Sequence, residues 1–282
     1  MIQISGMPFQ PNGFNVGSIE NEILQQMSNT RVLYSYSSSN ELLFELNLRK
    51  NIIESAREMN NSQAEFTTFQ YAYCNEAYWR RTSEGGFLLK SNVNPSDAIL
   101  DIYQSSSQYA FECATACIIV FYHAVLKSIG KPLFNSLFQS LYLYSWHSDP
   151  DLGIYTYYGD HILPGDVVYF RNPDYNPTTS WYRGVNAVTM SAGTFFGHGV
   201  GIKSTQEMIE FLNKYRRAGS SQSAYLTRLV TNPSFKGLFA ISTLQRGPLP
   251  KKQYKVCHHN KSSISFLHYL SYYHQQFNNK RL

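Results

Sequence analysis

The stretch Tyr109-Ala110-Phe111-Glu112-Cys113-Ala114-Thr115-Ala116-Cys117-Ile118-Ile119-Val120-Phe121-Tyr122 is the most apolar run of the chain. It constrains the fold more than any other feature. One carboxylate and one thiol stand side by side at its leading edge. Small residues follow, and then Ile, Val and Phe, which is the pattern of a buried helix whose N-terminal end comes close to something. The spacing predicts a helix reaching about Ser128, broken by Gly130-Lys131-Pro132. A thiol at a helix N-terminus is favoured as thiolate by the dipole and the free N–H groups. The bland alternative is a core helix that holds two cysteines as small hydrophobes.

With 282 residues the chain is long enough to bury a sizeable core. Helices dominate its first half: one around Glu20–Met27, one over Glu41–Met59 after the Ser37–Asn40 turn, and one over Pro95–Gln104. Leu133–Leu143 is predicted as a further helix. From Asp149 the pattern changes to strands, at Val167–Phe170, Val185–Met190 and Thr194–Ile202. The capping box Ser204-Thr205-Gln206-Glu207 opens one more helix over Met208–Arg217. Helices followed by a block of strands argue for an α+β fold. A cysteine on a buried helix, packed on an antiparallel sheet that supplies a histidine, is also the layout of papain-like cysteine enzymes.

Charge divides the chain unevenly. All 19 acidic residues lie at or before Glu210, where they face 12 Lys and Arg, and residues 211–282 carry 12 basic residues and no acid. A domain over 1–244 and a basic, loosely ordered tail over 245–282 are expected. A basic tail on an acidic body suggests docking to an acidic surface. No nucleic-acid motif accompanies the charge, so nucleic acid is not expected as a partner. Met1-Ile2-Gln3-Ile4-Ser5-Gly6 lacks a basic segment followed by an apolar one, so no secretion signal is read. No stretch reads as long enough for a membrane span. Cys74, Cys113, Cys117 and Cys257 are then expected to be reduced.

Cys113 needs a partner for its proton. His258, His259, His268 and His274 fall in the tail. His123 lies on the same helix, roughly 15 Å away by helical rise. His147, His161 and His198 remain, and His198 is best placed, within Phe196-Gly197-His198-Gly199-Val200-Gly201. Its flanking glycines allow another backbone or a ligand to approach. Glu112 could act as base only if the chain there is not yet regular helix, because adjacent helical side chains diverge by about 100°. No metal-ligand spacing, P-loop or dinucleotide fingerprint is present, so no metal or cofactor is expected. The aromatic content of 15%, concentrated partly over residues 64–91, suggests a groove built from rings.

Phe111-Glu112-Cys113-Ala114-Thr115-Ala116 resembles the nucleophile segment of the spore-coat transglutaminases of endospore-forming bacteria. Glu45-Leu46-Asn47-Leu48-Arg49 with Asn51-Ile52, Leu143-Tyr144-Ser145-Trp146, Gly165-Asp166 with Tyr169-Phe170-Arg171-Asn172-Pro173, and Gly197-His198-Gly199-Val200-Gly201 match that family in order and spacing. The resemblance runs from residue 1 to about 230. It implies a single papain-like (NlpC/P60-type) domain with an N-terminal helical elaboration. The implied activity is a calcium-independent protein-glutamine γ-glutamyltransferase, without cofactor, acting as a monomer on coat proteins that bear accessible Gln and Lys. It also implies synthesis in the mother-cell cytoplasm and residence in the spore coat. Cys113, Glu112 and His198 would be catalytic, and Phe69, Trp146, Trp181 and Tyr182 would wall a substrate channel. One departure stands out. In Trp181-Tyr182-Arg183-Gly184-Val185-Asn186, Val185 replaces a family acid, which implies a slower enzyme with Glu112 taking over the charge role. A peptidase or amidase using the same pair, and a non-catalytic coat component, remain the alternatives.

Overall fold

A computed structural model describes residues 1–10, 14, 16–251 and 255–278. Its helices are α1 (Ser18–Ser28), α2 (Ser39–Asn61), α3 (Pro95–Gln104), α4 (Cys113–Leu137), α5 (Thr205–Asn213), α6 (Phe235–Ser242) and α7 (Phe266–Asn278). The main sheet is built from β1 (Tyr155–Tyr158), β2 (Val167–Arg171), β3 (Gly184–Thr189), β4 (Thr194–Gly197), β5 (Gly201–Ser204) and β6 (Tyr225–Asn232). Its strands run in the order β5-β4-β3-β2-β6-β1, and every neighbouring pair is antiparallel. Smaller sheets tie the N-terminal half together, including Phe87–Leu89 against Trp79–Arg81 and Tyr142–Leu143.

Strand alternation divides the sheet into two faces. Val167, Val188 and Phe196 join the large core around α4 and α2. Val168, Phe170, Val185, Ala187 and Phe195 point the other way, where Met208 and Leu212 of α5 cover them. The antiparallel α+β architecture follows the sequence pattern. Every residue from Cys113 to Leu126 is buried, so α4 is the central post. By length and composition alone α4 could cross a membrane, contrary to the sequence reading that no stretch could. Here its apolar surface is spent on the core. Helical geometry breaks at Gly130, where the break is expected.

Three elements differ from expectation. The helix read over Leu133–Leu143 ends at Leu137, and Tyr142–Leu143 is a strand because its partner Phe87–Leu88 lies alongside. The single strand read over Thr194–Ile202 is a hairpin, β4 and β5, with His198 in the turn. The tail is not loosely attached. Cys257, Ser262, Ser263, Ile264, Ser265, Phe266 and Tyr269 are all buried, and α7 completes it; residues 252–254 and 279–282 lie outside the described residues. Composition misled because the few apolar residues that seat the tail are scattered among basic and hydroxyl residues, and the main-chain contacts beside them leave no sequence pattern.

A buried ion network locks α2 to the turn before β2. Arg49 donates from Nε to Glu45 at 2.9 Å and from Nη1 to Asp166 at 2.7 Å, and its guanidinium lies 4.4 Å above the Phe235 ring. The second oxygen of Glu45 accepts from Tyr36 at 2.9 Å, and that of Asp166 accepts from the Leu163 amide at 2.7 Å. Gly165, at φ +89°, lets the turn pass the Arg49 backbone, where a Cβ would sit 3.2 Å from the Arg49 Cα. Replacing Arg49 with Met would leave two buried carboxylates without their cation. That loss is expected to cost about 3–5 kcal/mol, read as the shift in a urea unfolding midpoint. A loss below about 1 kcal/mol, the scale of an exposed ion pair, would show that the network is solvated.

Candidate active site

Glu112 is the N-cap of α4, with extended backbone angles of φ −88° and ψ 169°. The condition for its carboxylate to reach the helix mouth is therefore met. One oxygen accepts from the Ala114 amide at 2.8 Å, and the other accepts from the Thr115 amide at 2.7 Å and from Thr115 Oγ1 at 3.0 Å. The Ser263 amide also donates to it. Two otherwise orphaned helix N–H groups, those of Ala114 and Thr115, are thus satisfied by one buried side chain. Burial raises the Glu112 pKa, and these donors oppose the rise. Thr115 Oγ1 relays the order by accepting from the Ser145 amide at 2.9 Å.

Cys113 is the first residue of α4 and is buried. Its thiol donates to Ser263 Oγ, and its sulfur accepts from Asn186 Nδ2, each at 3.4 Å. Burial pushes the thiol pKa up to about 12, with the Glu112 charge adding to the rise. A helix N-terminus was expected to favour thiolate, but here the carboxylate cap uses the helix donors and desolvation outweighs the dipole.

His198 sits in the β4–β5 turn. Gly199, at φ +79°, completes that turn; a Cβ there would lie 2.5 Å from the Phe66 Cβ. The ring stacks on Phe111 with centroids 4.7 Å apart, and Nε2 lies 3.1 Å from the Glu65 carbonyl oxygen. Desolvation pushes its pKa down to about 4, opposed by the Glu65 and Phe111 carbonyls, so the ring is neutral near pH 7. His198 therefore packs on Phe111, two residues before Cys113. The described hydrogen-bond partners of the sulfur, however, are Ser263 and Asn186.

Phe69, Trp181 and Tyr182 line a cavity of about 1120 Å³, together with Phe66, Tyr144 and tail residues including His259. Phe69 stacks on Tyr144 at 4.5 Å, and Tyr182 on Tyr215 at 3.8 Å. Trp146 is fully buried beside Phe266, at 5.5 Å, and is not part of that lining. Among the described residues, no three His, Cys, Asp or Glu side chains converge as a metal site would need. All four cysteines are free.

Val185 does not lie where a missing acid would leave Cys113 without a partner. Its side chain belongs to the α5 face of β3, among Phe170, Phe195 and Met208. Asn186, the next residue, points to the α4 face and reaches the sulfur. Asn186, Tyr169 and Ser263 are site residues that the sequence reading missed. The signal for Asn186 was a lone amide between Val185 and Ala187 in a strand, which places it on the opposite face from both. No sequence pattern marks Ser263.

The site is therefore a buried cysteine at a carboxylate-capped helix mouth, touched by Asn186 of the sheet and by Ser263 of the C-terminal segment. A family model described as protein-glutamine gamma-glutamyltransferase matches residues 1–242. A protein-glutamine gamma-glutamyltransferase of Halalkalibacterium halodurans is 54% identical over 274 residues, 96% of each chain, so most of the tail falls within the match. One of Bacillus cereus is 45% identical over 225 residues, 79% of this chain and 82% of its own. A solved transglutaminase from Geobacillus stearothermophilus, without its C-terminal extension, superposes with a TM-score of 0.70 at 46% identity, over 72% of this chain and 97% of that one. The chain belongs to the protein-glutamine γ-glutamyltransferase family.

Two outcomes are expected. Val185→Glu would bury a carboxylate among apolar side chains, costing on the order of 3 kcal/mol; unchanged urea stability would show that the side chain turns toward solvent or the site. His123, His147, His198 and His259 each have a pKa pushed down to about 4, by desolvation first. Unfolded imidazole titrates near pH 6.5, so below that value the unfolded chain takes up protons that the folded chain excludes. Stability is then full above about pH 6.5 and declines as the pH falls from there toward 4. Thermal unfolding across that window should show a falling Tm, and a flat Tm would contradict the buried neutral rings.

Proposed function

We propose that this protein joins protein-bound glutamine to lysine through a thioester on Cys113, with the papain-like division of labour between a nucleophile helix and an antiparallel sheet. The observation that carries this reading is Cys113 at the capped mouth of α4, beside Asn186 of the sheet, in a chain whose relatives bear the name of that reaction. The sulfur attacks the γ-carboxamide carbon, the carbonyl electron pair moves to oxygen, and collapse expels ammonia carrying the thiol proton. A lysine amine then attacks the thioester, loses a proton to the site and leaves an isopeptide, regenerating the thiol. Glu112 supplies the nearby negative charge and His198 a neutral ring for the proton transfers.

The aromatic cavity supports amine over water as acceptor. Phe66, Phe69, Trp181 and Tyr182 present apolar rings to a lysine stem, and exclusion of water slows hydrolysis of the thioester. The substrates we propose are spore-coat proteins, cross-linked in the mother cell and at the coat surface without a calcium requirement. The basic C-terminal segment is compatible with an acidic coat lattice.

The test incubates the protein with a glutamine-bearing protein and a primary-amine probe in the presence of a calcium chelator, beside Cys113→Ala. Covalent incorporation that disappears in the variant is expected. Ammonia release without incorporation would make the protein an amidase, and incorporation that survives Cys113→Ala would remove Cys113 from the chemistry.

A further inference from the structure

The segment Ser262–Phe266 crosses the nucleophile. Ser263 is buried and adopts φ +57°, a left-handed conformation that favours glycine. Its hydroxyl meets the Cys113 sulfur, its amide meets Glu112, and its carbonyl accepts from Tyr169 OH at 2.8 Å. The next carbonyl is the informative one. Ile264 O accepts from Trp146 Nε1 at 2.8 Å and from Asn186 Nδ2 at 2.9 Å. Asn186 Nδ2 is the same nitrogen that donates to the sulfur at 3.4 Å. Two N–H donors from different elements thus converge on one carbonyl oxygen, and one of them also touches the nucleophile.

We propose that Trp146 Nε1 and Asn186 Nδ2 form the pocket for the γ-carboxamide oxygen of the donor glutamine, and that the Ile264 carbonyl is its intramolecular stand-in. The inference rests on the acyl-transfer reading above and extends it to the site where charge develops. When the sulfur bonds to the carboxamide carbon, the carbonyl pair moves onto oxygen. Fixed donors aimed at that oxygen, in a buried site, stabilise the negative charge without reorganising. Both donors are positioned before substrate arrives. Trp146 is fully buried, and Asn186 lies in the middle of β3, opposite Tyr169 of β2. A primary carboxamide fits, because its oxygen takes the two donors while its departing nitrogen needs none from this pair.

The same contacts make the tail a competitor. Glutamine and Ile264 cannot both hold the pocket, so donor binding requires Ser262–Phe266 to withdraw. Phe266, packed on the Trp146 ring, is the apolar latch.

The test uses the full chain and two readouts, the rate of Cys113 alkylation by iodoacetamide, followed on its peptide, and amine-probe incorporation. Phe266→Asp, with Phe266→Ala as a milder version, is expected to raise alkylation severalfold and to lower the apparent KM for the glutamine donor. Adding Trp146→Phe to Phe266→Asp keeps an aromatic ring in place and removes the N–H donor together with part of the indole. Alkylation should stay fast while kcat falls about 10²–10³-fold, the scale of one lost oxyanion donor. An equal kcat in the single and double variants would overturn the pocket. Alkylation unchanged in both Phe266 variants would show that the tail does not cover Cys113 in solution, removing the stand-in and overturning the proposal. Absence of Cys113-dependent incorporation in the wild-type and Phe266→Asp chains alike would instead sink the reaction itself, whatever the alkylation rates.

Discussion

The carboxylate of Glu112 closing the first turn of α4 is the contact on which the site depends. A buried helix N-terminus leaves amide donors with no partner, and each would carry a desolvation penalty of about 1–3 kcal/mol if left bare. Glu112 satisfies the Ala114 and Thr115 amides, binds the Thr115 hydroxyl, and takes the Ser263 amide from the tail. One side chain therefore fixes the angle at which Cys113 leaves the helix, the loop carrying Ser145 and Trp146, and the point where the C-terminal segment crosses. It also sets the electrostatics, because a negative charge beside a desolvated thiol holds the sulfur protonated in this state. Reactivity must then come with a change that rehydrates the thiol or moves its proton. The tail is the element best placed to provide the first.

Behind the helix mouth, the Arg49 network performs a different task. Glu45, Arg49, Asp166 and Tyr36 sit far from water, and their mutual bonds join α2 to the strand block across more than a hundred residues of sequence. These residues fall in segments by which the chain resembles its family, yet they do not touch Cys113. They tie α2 to the turn that leads into β2, the strand paired with the β3 residue Asn186. Family motifs in this chain are thus of two kinds, those at the Cys113 helix mouth and those that hold the frame.

Much of this was legible in the sequence. Apolar periodicity marked α2 and α4, α3 opens at Pro95 as read, and the capping box at Ser204 and Glu207 is present as read. Glu112 and Cys113 stood out because a charge and a thiol interrupt an otherwise apolar run. What sequence could not show was reciprocity. The hairpin at His198 was read as one strand, since the glycines that make the turn also fit an extended chain. The orientation of Val185 follows from strand register, which depends on β2 and β4 as partners. The seating of residues 257–278 depends on backbone carbonyls meeting Trp146, Asn186 and Tyr169, and a carbonyl has no letter in a sequence.

The basic C-terminal segment finds part of its acidic counterpart within the chain. Lys251 pairs with Asp149 and Asp151, and Arg246 lies 3.5 Å from Asp151. Lys251 is exposed and Arg246 partly so, which lets water screen the cation side of each pair. Burying Ile264, Phe266 and Tyr269 is the larger effect, at about 1.5–3 kcal/mol for each large apolar side chain. The tail is therefore held by its apolar and main-chain contacts, while its charges guide it toward the body. Such a segment can be stable in place and still yield to a substrate. A donor glutamine needs to match the two donors on the Ile264 carbonyl, and once Phe266 lifts from Trp146 the strained Ser263 is held over the thiol by polar contacts to Tyr169 and Cys113 that water can replace.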